Sequence, residues 1–292
     1  MAKYLAAVSG GPDSMVMLHI YRKQIEVVCH VNYLKRPSAN RDMEIVQSFC
    51  KTHKLPLEIL KVESSIYQQY YKINHNFQTM ARNIRYDFFV KCARKYKVDT
   101  VMIAHNKDDF LETVYMQKKR QTKNLFMGIA KISKYKNIYI YRPFLNKWKK
   151  ELLQYCEKNN IAYGIDETNE LDVYERNRVR KVLIKLSDAE KETEIKRIEK
   201  INKLQSSKIK MIQKQYVLWE HKNFDLDIFC DAPLWMKEQL IYKFLVEHKI
   251  NRINANKIKL IRRFIESTKS KIDLRLGNHL KLRKIDGILT II

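Results

Sequence analysis

The chain has 292 residues, 45% of them hydrophobic and 11% aromatic, which supports one large folded domain or two smaller ones and excludes a disordered protein. Lysine and arginine total 57 against 32 acidic residues, a net charge of +25 that is spread over both halves of the chain. This excess predicts a polyanionic partner bound by folded surfaces, with solubility or a lysine-rich genome as the alternative explanation.

Cysteine usage and hydropathy predict a cytoplasmic protein. The five cysteines are scattered and form no Cys-x-x-Cys pair, which argues against structural zinc, an iron–sulfur cluster or a disulfide framework. No run of about 18 apolar residues is present, so we expect no membrane span. The apolar start of the chain is too short for a signal peptide and is better interpreted as a buried first strand.

Short apolar runs alternate with segments of helical spacing through the first 165 residues. The predicted strands are Tyr4–Val8, Ile25–Val31, Leu57–Val62, Thr100–Ala104 and Tyr135–Tyr141. The predicted helices are Ser14–Tyr21, Asp42–His53, Ala81–Tyr96 and Lys147–Lys158. This alternation predicts an α/β fold with a parallel sheet covered by helices on both faces.

The pattern changes near residue 185, where long charge-rich helices replace the strands. These helices are predicted at Ser187–Trp219, Leu234–His248 and Ala255–Ser267. An alternating run at Asp273–Leu282, broken by Gly277 and Asn278, predicts a terminal β-hairpin. We therefore predict an α/β domain over 1–185 and a smaller, mainly helical domain over 186–292, with a connector around 170–190.

A glycine loop at residues 9–14 (SGGPDS) joins the first predicted strand to the first predicted helix. Two glycines let backbone amides approach an anion, and the helix N-terminus and serine hydroxyls add donors, so the loop predicts phosphate binding. Asp13 beside a phosphate requires a bridging cation, and we predict Mg²⁺ there. The Walker A pattern is absent. The alternative interpretation is a simple strand–helix turn.

The loop resembles that of the PP-loop ATP pyrophosphatases, which cut ATP between its α and β phosphates and adenylate a substrate. Four further segments, in the same order, are similar to those of the tRNA(Ile)-lysidine synthetases: residues 81–89 (ARNIRYDFF), 104–113 (AHNKDDFLET), 142–145 (RPFL) and 174–180 (YERNRVR). The resemblance implies that 1–185 is an ATP-binding catalytic domain and that 186–292 is a helical tRNA-binding domain.

The resemblance implies a two-step ligation on the isoleucine tRNA that carries a CAU anticodon. ATP adenylates the carbonyl oxygen at carbon 2 of the wobble cytidine and releases pyrophosphate. Free L-lysine then attacks through its ε-amine, AMP leaves, and the product base lysidine pairs with A. The implied cofactors are ATP and Mg²⁺, and the implied partners are this tRNA and L-lysine. The sequence leaves the oligomeric state, including a homodimer, undecided.

The resemblance also implies roles for particular residues. The nucleotide-binding residues are Ser9, Gly10, Gly11, Pro12, Asp13, Ser14 and His30. The catalytic residues are Asp13, Arg82, Asp108 and Glu112, and the tRNA-binding residues are Arg176, Asn177, Arg178 and Arg180. Asp108 and Glu112 share a helix face by their spacing and would bind the cationic lysine or accept its proton. Arg82 would stabilise the adenylated intermediate or the phosphate. Helix-dipole partners and ordinary surface charge are the alternatives for these charged groups.

Three departures from the family pattern stand out. Phe110 and Tyr33 occupy positions where the family usually has Gln and His, and the segment 119–128 is poorer in glycine than expected. Three alternative functions remain: a tRNA thiolase, which would need a reactive cysteine pair or a cluster; a glutamine-hydrolysing amidotransferase, for which the chain has no glutaminase domain; and a non-catalytic RNA-binding protein, against which the intact loop argues.

Overall fold

The computed structural model describes residues 3–35, 38–71, 77–119, 125–165, 175–248, 250, 253–268, 273–276 and 280–292. The chain divides into two compact units. The first comprises Met1–Met116 and Gly128–Ser187, and the second comprises Gln117–Met127 and Asp188–Ile292. No helix in the described ranges is long and apolar enough to cross a membrane.

The first unit is built on a six-stranded sheet with the order β3-β2-β1-β4-β6-β5. Its strands are β1 (Tyr4–Ala7), β2 (Ile25–Asn32), β3 (Leu57–Lys61), β4 (Thr100–Ile103), β5 (Ile132–Tyr135) and β6 (Ile138–Tyr141). All neighbouring strands are parallel except β5, which runs antiparallel to β6 at the sheet edge. The mostly parallel sheet is confirmed.

The single strand predicted at Tyr135–Tyr141 is wrong, because a hairpin occupies this region. The polar pair Lys136 and Asn137 forms the turn, and Lys136 has a φ of 51°. Two short strands, β5 and β6, meet at this turn, with Tyr135 opposite Ile138. The apolar alternation continues on both sides of this turn, so it predicts one strand. The residue with positive φ, Lys136, is not the glycine or asparagine that usually marks such a turn.

Helices cover both faces of this sheet. The helices of this unit are α1 (Pro12–Tyr21), α2 (Ser38–Thr52), α3 (Ser64–Tyr71), α4 (Phe77–Lys95), α5 (Lys107–Lys119), α6 (Lys149–Lys158) and α7 (Glu175–Ile184), with a short 3₁₀ turn at Arg22–Gln24. Consecutive β1 residues face opposite cores: Ala6 packs with residues of α1, α2 and α6, whereas Leu5 packs with residues of α4. Burial on both faces explains why the strands are apolar at successive positions.

The second unit has an aromatic core and a three-stranded antiparallel sheet. Its helices are α8 (Asp188–His221), α9 (Leu226–Cys230), α10 (Leu234–Glu247) and α11 (Ala255–Glu266), and its strands are β7 (Asp273–Arg275), β8 (Lys281–Ile285) and β9 (Ile288–Ile291). Trp219, Phe229 and Phe244 are fully buried at its centre. The predicted terminal hairpin is confirmed by the antiparallel pairing of β7 with β8, while its turn at Gly277 and Asn278 lies outside the described residues. The third strand, β9, was not predicted.

Candidate active site

The glycine loop lies at the carboxyl end of β1, where an open α/β sheet binds its ligands. Its two serines organise its backbone. The Ser9 N–H donates to the Ser14 hydroxyl oxygen (3.1 Å), and the Ser14 hydroxyl donates to the Gly11 carbonyl (2.9 Å). The helix α1 begins directly after Gly11, with Pro12 in its first turn, two residues earlier than the sequence predicts. Proline is suited to that position because it has no N–H to leave unpaired.

Residues of α2 and of the 164–165 segment pack against the glycine loop. Gly10 has a φ of +90°, and a Cβ at this position would lie 2.8 Å from the Asp42 carbonyl oxygen. Glycine is therefore required both by conformation and by close approach. The Gly164 N–H donates to the Gly10 carbonyl (2.9 Å), and a Cβ on Gly164 would lie 1.9 Å from Asp42 Oδ1. Arg41 donates to Asp42 Oδ1 (2.9 Å) and to the Ile165 carbonyl (2.8 Å), which joins α2 to the 164–165 segment.

Asp13 projects from the first turn of α1 with one carboxylate oxygen engaged. Its Oδ2 accepts a hydrogen bond from the Asn106 side-chain amide (3.1 Å). Its Oδ1 is buried and accepts none from the part of the chain that the structure describes. Burial raises the pKa of Asp13 to about 6, an effect that the charge of Lys149 partly opposes. A buried carboxylate oxygen without a donor fits a bound cation, because a cation would replace the lost hydration.

The three carboxylates of α5 differ in their partners. Asp108 Oδ2 accepts from the Lys149 backbone N–H (2.9 Å). Asp109 Oδ2 accepts from the Asn106 N–H (3.0 Å), and the Asp109 N–H donates back to Asn106 Oδ1 (3.0 Å). Glu112 is only 4% exposed and binds neither the Lys149 N–H nor the Asn106 N–H. The sequence spacing grouped Asp108 with Glu112, whereas the structure turns Asp108 towards the start of α6.

Two arginines of α7 engage Glu112. Arg176 Nε donates to Glu112 Oε2, and Arg180 Nε donates to Oε1 (2.5 Å). Arg176 also donates to Asp109 Oδ1 (3.0 Å). Their i, i+4 spacing places both guanidiniums on one face of α7. The cluster therefore ties the α7 helix to the carboxylate face of α5.

A cavity of about 240 Å³ opens beside the loop. The loop residues Ser9, Gly11, Asp13 and Ser14 form one part of its wall, and Arg82, Arg85, His105 and Lys149 also line it. The Arg82 guanidinium lies over the Tyr86 ring, 4.5 Å from the centroid, which fixes its direction. Backbone amides, hydroxyls and cationic side chains converge on one space, a composition suited to an anionic ligand.

Comparison with known proteins identifies the family. Residues 1–187 match the PP-loop domain family. The tRNA(Ile)-lysidine synthase of Ureaplasma parvum is 49% identical over 88% of this chain and 77% of its own length. The synthases of Malacoplasma penetrans and Mycoplasma pneumoniae are 40% and 37% identical, over 92% and 99% of this chain and 90% and 98% of their own lengths. The chain belongs to the tRNA(Ile)-lysidine synthase family.

A solved structure supports the fold of this lysidine synthase family member. The U34-tRNA thiolase NcsA from Methanococcus maripaludis, which contains a [4Fe-4S] cluster, superposes with a TM-score of 0.58 at 20% identity. The match covers 70% of this chain and 73% of the thiolase. At that identity the likeness shows a shared fold and carries no argument about chemistry.

The structure brings part of the predicted set of this lysidine synthase family member together. The residues of this set that line the described cavity are Ser9, Gly11, Pro12, Asp13, Ser14 and Arg82. His30 is buried in β2, where its Nδ1 donates to the Val8 carbonyl (3.0 Å), and its side chain is not among those that line the described cavity. Of the four residues predicted to bind tRNA, Arg178 is exposed and Asn177 is buried. Arg176 and Arg180 contact carboxylates, as described above. Their roles in nucleotide and tRNA binding stay predictions.

Sequence reasoning missed several groups at this site. Asn106, Asp109 and Arg85 lie inside the segments that carry the family resemblance, so those segments hold more of the site than the residues first chosen from them. Lys149 and Gly164 lie outside every matched segment. No local pattern marks these two, because their places depend on how distant parts of the chain pack.

Proposed function

We propose that this enzyme adenylates the wobble cytidine of the CAU-anticodon isoleucine tRNA and joins free L-lysine to carbon 2 of that base. ATP-dependent lysidine formation on tRNA(Ile) is the activity of the family to which the chain belongs. The observation that best supports the proposal is the cavity where the glycine loop, Asp13 and Arg82 converge.

The proposed reaction has two steps. The carbonyl oxygen on carbon 2 of cytosine attacks the α-phosphorus of ATP, and pyrophosphate leaves. The ε-amine nitrogen of lysine then bonds to carbon 2, and the carbon–oxygen bond breaks so that AMP leaves with that oxygen. The attacking ammonium loses a proton before attack and the new nitrogen loses another afterwards, so a proton acceptor is needed.

In the first step, the loop would hold the leaving pyrophosphate through the amides of Gly10 and Gly11 and the hydroxyls of Ser9 and Ser14. The residues present fit Mg²⁺, because Asp13 Oδ1 is buried without a donor among the described residues. These residues contain no cluster of three or more metal-ligating side chains, so phosphate oxygens would supply further ligands. When bound, Mg²⁺ neutralises charge on the phosphates.

In the second step, the α5 carboxylates are the proposed partners of lysine. Asp108 is partly exposed and accepts a hydrogen bond from the Lys149 backbone N–H, so its carboxylate can also accept from an ammonium. Glu112 is held by two arginines. It would share its charge with those guanidiniums if lysine approached, which favours Asp108 as the first contact and Glu112 as support.

The proposed contacts of tRNA are electrostatic. Arg178 is exposed on α7 and can reach phosphates, and Arg176, Asn177 and Arg180 lie on the same helix. The second unit, which starts with the long charge-rich helix α8, is the proposed second tRNA-binding element. Single-stranded anticodon bases would be recognised after they unstack from their neighbours.

The decisive experiment measures incorporation of labelled lysine into purified tRNAs that carry CAU anticodons, with and without ATP. We expect ATP-dependent labelling of the isoleucine acceptor and none of methionine tRNA. ATP cleavage without lysine transfer would keep the nucleotide site and reject lysine as the nucleophile. A thiolase is disfavoured because four of the five cysteines are buried and no Cys-x-x-Cys pair exists.

A further inference from the structure

The strongest unassigned feature is a contact between a buried arginine and a histidine of the cavity wall. Arg142 is 5% exposed and donates from Nη1 to the Ala130 carbonyl (2.7 Å) and the Ser133 hydroxyl (3.0 Å). Its Nε donates to His105 Nδ1 (3.1 Å). Three hydrogen bonds from two of its nitrogens leave the guanidinium little freedom, so it acts as a fixed support for the ring.

This contact determines where the imidazole carries its hydrogen. A guanidinium has only N–H donors and remains protonated in proteins, so the ring nitrogen that faces it must accept. Nδ1 therefore keeps its lone pair, and the ring hydrogen is on Nε2.

The surroundings also keep the ring neutral. Burial holds the pKa of His105 well below its ordinary value. Four positive charges act in the same direction: Arg142, Arg176, Arg85 and Arg82. At neutral pH the ring is thus uncharged, with one acceptor already used and one donor remaining.

That donor belongs to a residue of the nucleotide cavity. His105 follows β4, which neighbours β1, so it lies beside the glycine loop at the carboxyl edge of the sheet. No described residue accepts a hydrogen bond from its Nε2. A ligand in the cavity can supply the acceptor, and a cavity that also presents Arg82 and the loop hydroxyls favours a phosphoryl oxygen.

We propose that His105 donates its Nε2–H to an α-phosphoryl oxygen during cytidine adenylation, and that Arg142 is the positioning residue that sets this tautomer. The proposal rests on the proposed function. It also assigns His105 no role as the base for lysine, because Nδ1 is occupied by Arg142 and Nε2 already carries a hydrogen. The proton acceptor must then be another group.

Two amide substitutions at His105 distinguish a hydrogen-bond donor at Nε2 from a general base. In His105→Gln the amide nitrogen lies near the Nε2 position, whereas in His105→Asn the amide lies near Nδ1 and no donor reaches the cavity. We expect His105→Asn to lower kcat for tRNA-dependent ATP:pyrophosphate exchange about 100-fold with little change in KM for tRNA, and His105→Gln to stay within about 10-fold of the parent. Equal inactivation of both variants would overturn the donor assignment, as would full activity of His105→Asn.

Imidazole NMR tests the tautomer without relying on activity. In the nitrogen-15 histidine-labelled full chain, the His105 signals are identified by their loss in His105→Gln. We expect an unprotonated Nδ1 and a protonated Nε2, unchanged between about pH 6 and about pH 8. In Arg142→Lys, which keeps a positive charge but not the fixed planar donor, we expect a mixture of tautomers. A protonated Nδ1 in the parent, or titration in that range, would overturn the proposal.

The two proposals fail in different ways. If the parent transfers no lysine to tRNA, the proposed function fails while the tautomer observed by NMR still stands. If the parent is active and the exchange assay shows no preference for Gln over Asn at position 105, only the role of His105 fails. Circular dichroism of each variant checks that the fold is retained.

Discussion

Two carboxylates at this site, Asp13 and Glu112, have opposite surroundings. Glu112 is buried between two guanidiniums that neutralise it, whereas Asp13 has a single amide donor and one oxygen without a donor among the described residues. Burial raises the pKa of Asp13 to about 6. Because their partners differ, the two carboxylates have different consequences. Glu112 joins two helices within the fold, whereas Asp13 keeps a carboxylate oxygen that a ligand can use.

A hydrogen-bonded chain links the two. Asn106 donates to Asp13 and exchanges hydrogen bonds with Asp109, and Asp109 accepts from Arg176, which also holds Glu112. The unsatisfied carboxylate is therefore anchored to the satisfied one through a short, largely buried network. Predictions that alter one carboxylate and spare the other test whether their roles are as distinct as their surroundings.

The largest effect is expected from Asp13→Ala. Loss of the carboxylate removes the proposed cation ligand, so ATP-dependent lysine incorporation should fall by roughly 1,000-fold or more. Binding of tRNA, measured by filter retention, should stay near the parental level because Asp13 lies in the loop cavity and not on α7. Full activity in this variant would contradict the assignment of Asp13.

Glu112→Gln should have the next largest effect, and chiefly on stability. It keeps the side-chain volume but removes the carboxylate that Arg176 and Arg180 share, while Asp109 still contacts Arg176, and we expect this loss to cost roughly 3 kcal/mol of unfolding free energy. Denaturant unfolding measures this. Lys95→Gln, which breaks the exposed ion pair with Glu58, is the control and should leave the curve unchanged. An unaltered midpoint for Glu112→Gln would mean that the cluster does not support the fold.

Asp13→Asn should stabilise the ligand-free protein in a pH-dependent way. The folded pKa of Asp13 is about 6, above the ordinary 3.8, so the carboxyl favours folding below about pH 4 and this contribution is lost as pH rises through about 6. The variant has no carboxyl to titrate, so its free energy of unfolding should exceed that of the parent by on the order of 2 kcal/mol at about pH 8. Unfolding midpoints at several pH values measure the difference. A gain that is equal at all pH values would show that Asp13 is not titrating.

The smallest effect is expected from Arg178→Ala. An exposed arginine that contacts a phosphate contributes to affinity through counterion release, so the salt dependence of tRNA binding should fall by about one in log–log slope. Stability should not change, in contrast to Glu112→Gln. Arg94→Ala, at the exposed end of α4, is the matched control. An identical slope for parent and Arg178→Ala would remove Arg178 from the proposed tRNA contacts.

The local features of this protein follow from short stretches of its sequence. The apolar runs predicted β1, β2, β3 and β4, four of the six strands of the first unit, with small boundary errors, and the glycine loop predicted its own place at the end of β1. These features follow from side-chain periodicity and from the conformations that glycine and proline allow, which neighbouring residues decide. The β5–β6 hairpin escaped because its turn has no such signal.

The pairing of the charged groups is set by tertiary packing. Asp13 and Asn106 are 93 residues apart, and Glu112 and Arg176 are 64 apart, yet both pairs are in hydrogen-bonding contact. The sheet order places β1 between β2 and β4, and this brings the loop after β1 beside the residues that follow β4. Spacing along one helix could show that Asp108 and Glu112 are near neighbours, but not that Arg176 and Arg180 would engage Glu112. Pairing across the chain depends on strand order and helix packing, and no local pattern encodes either.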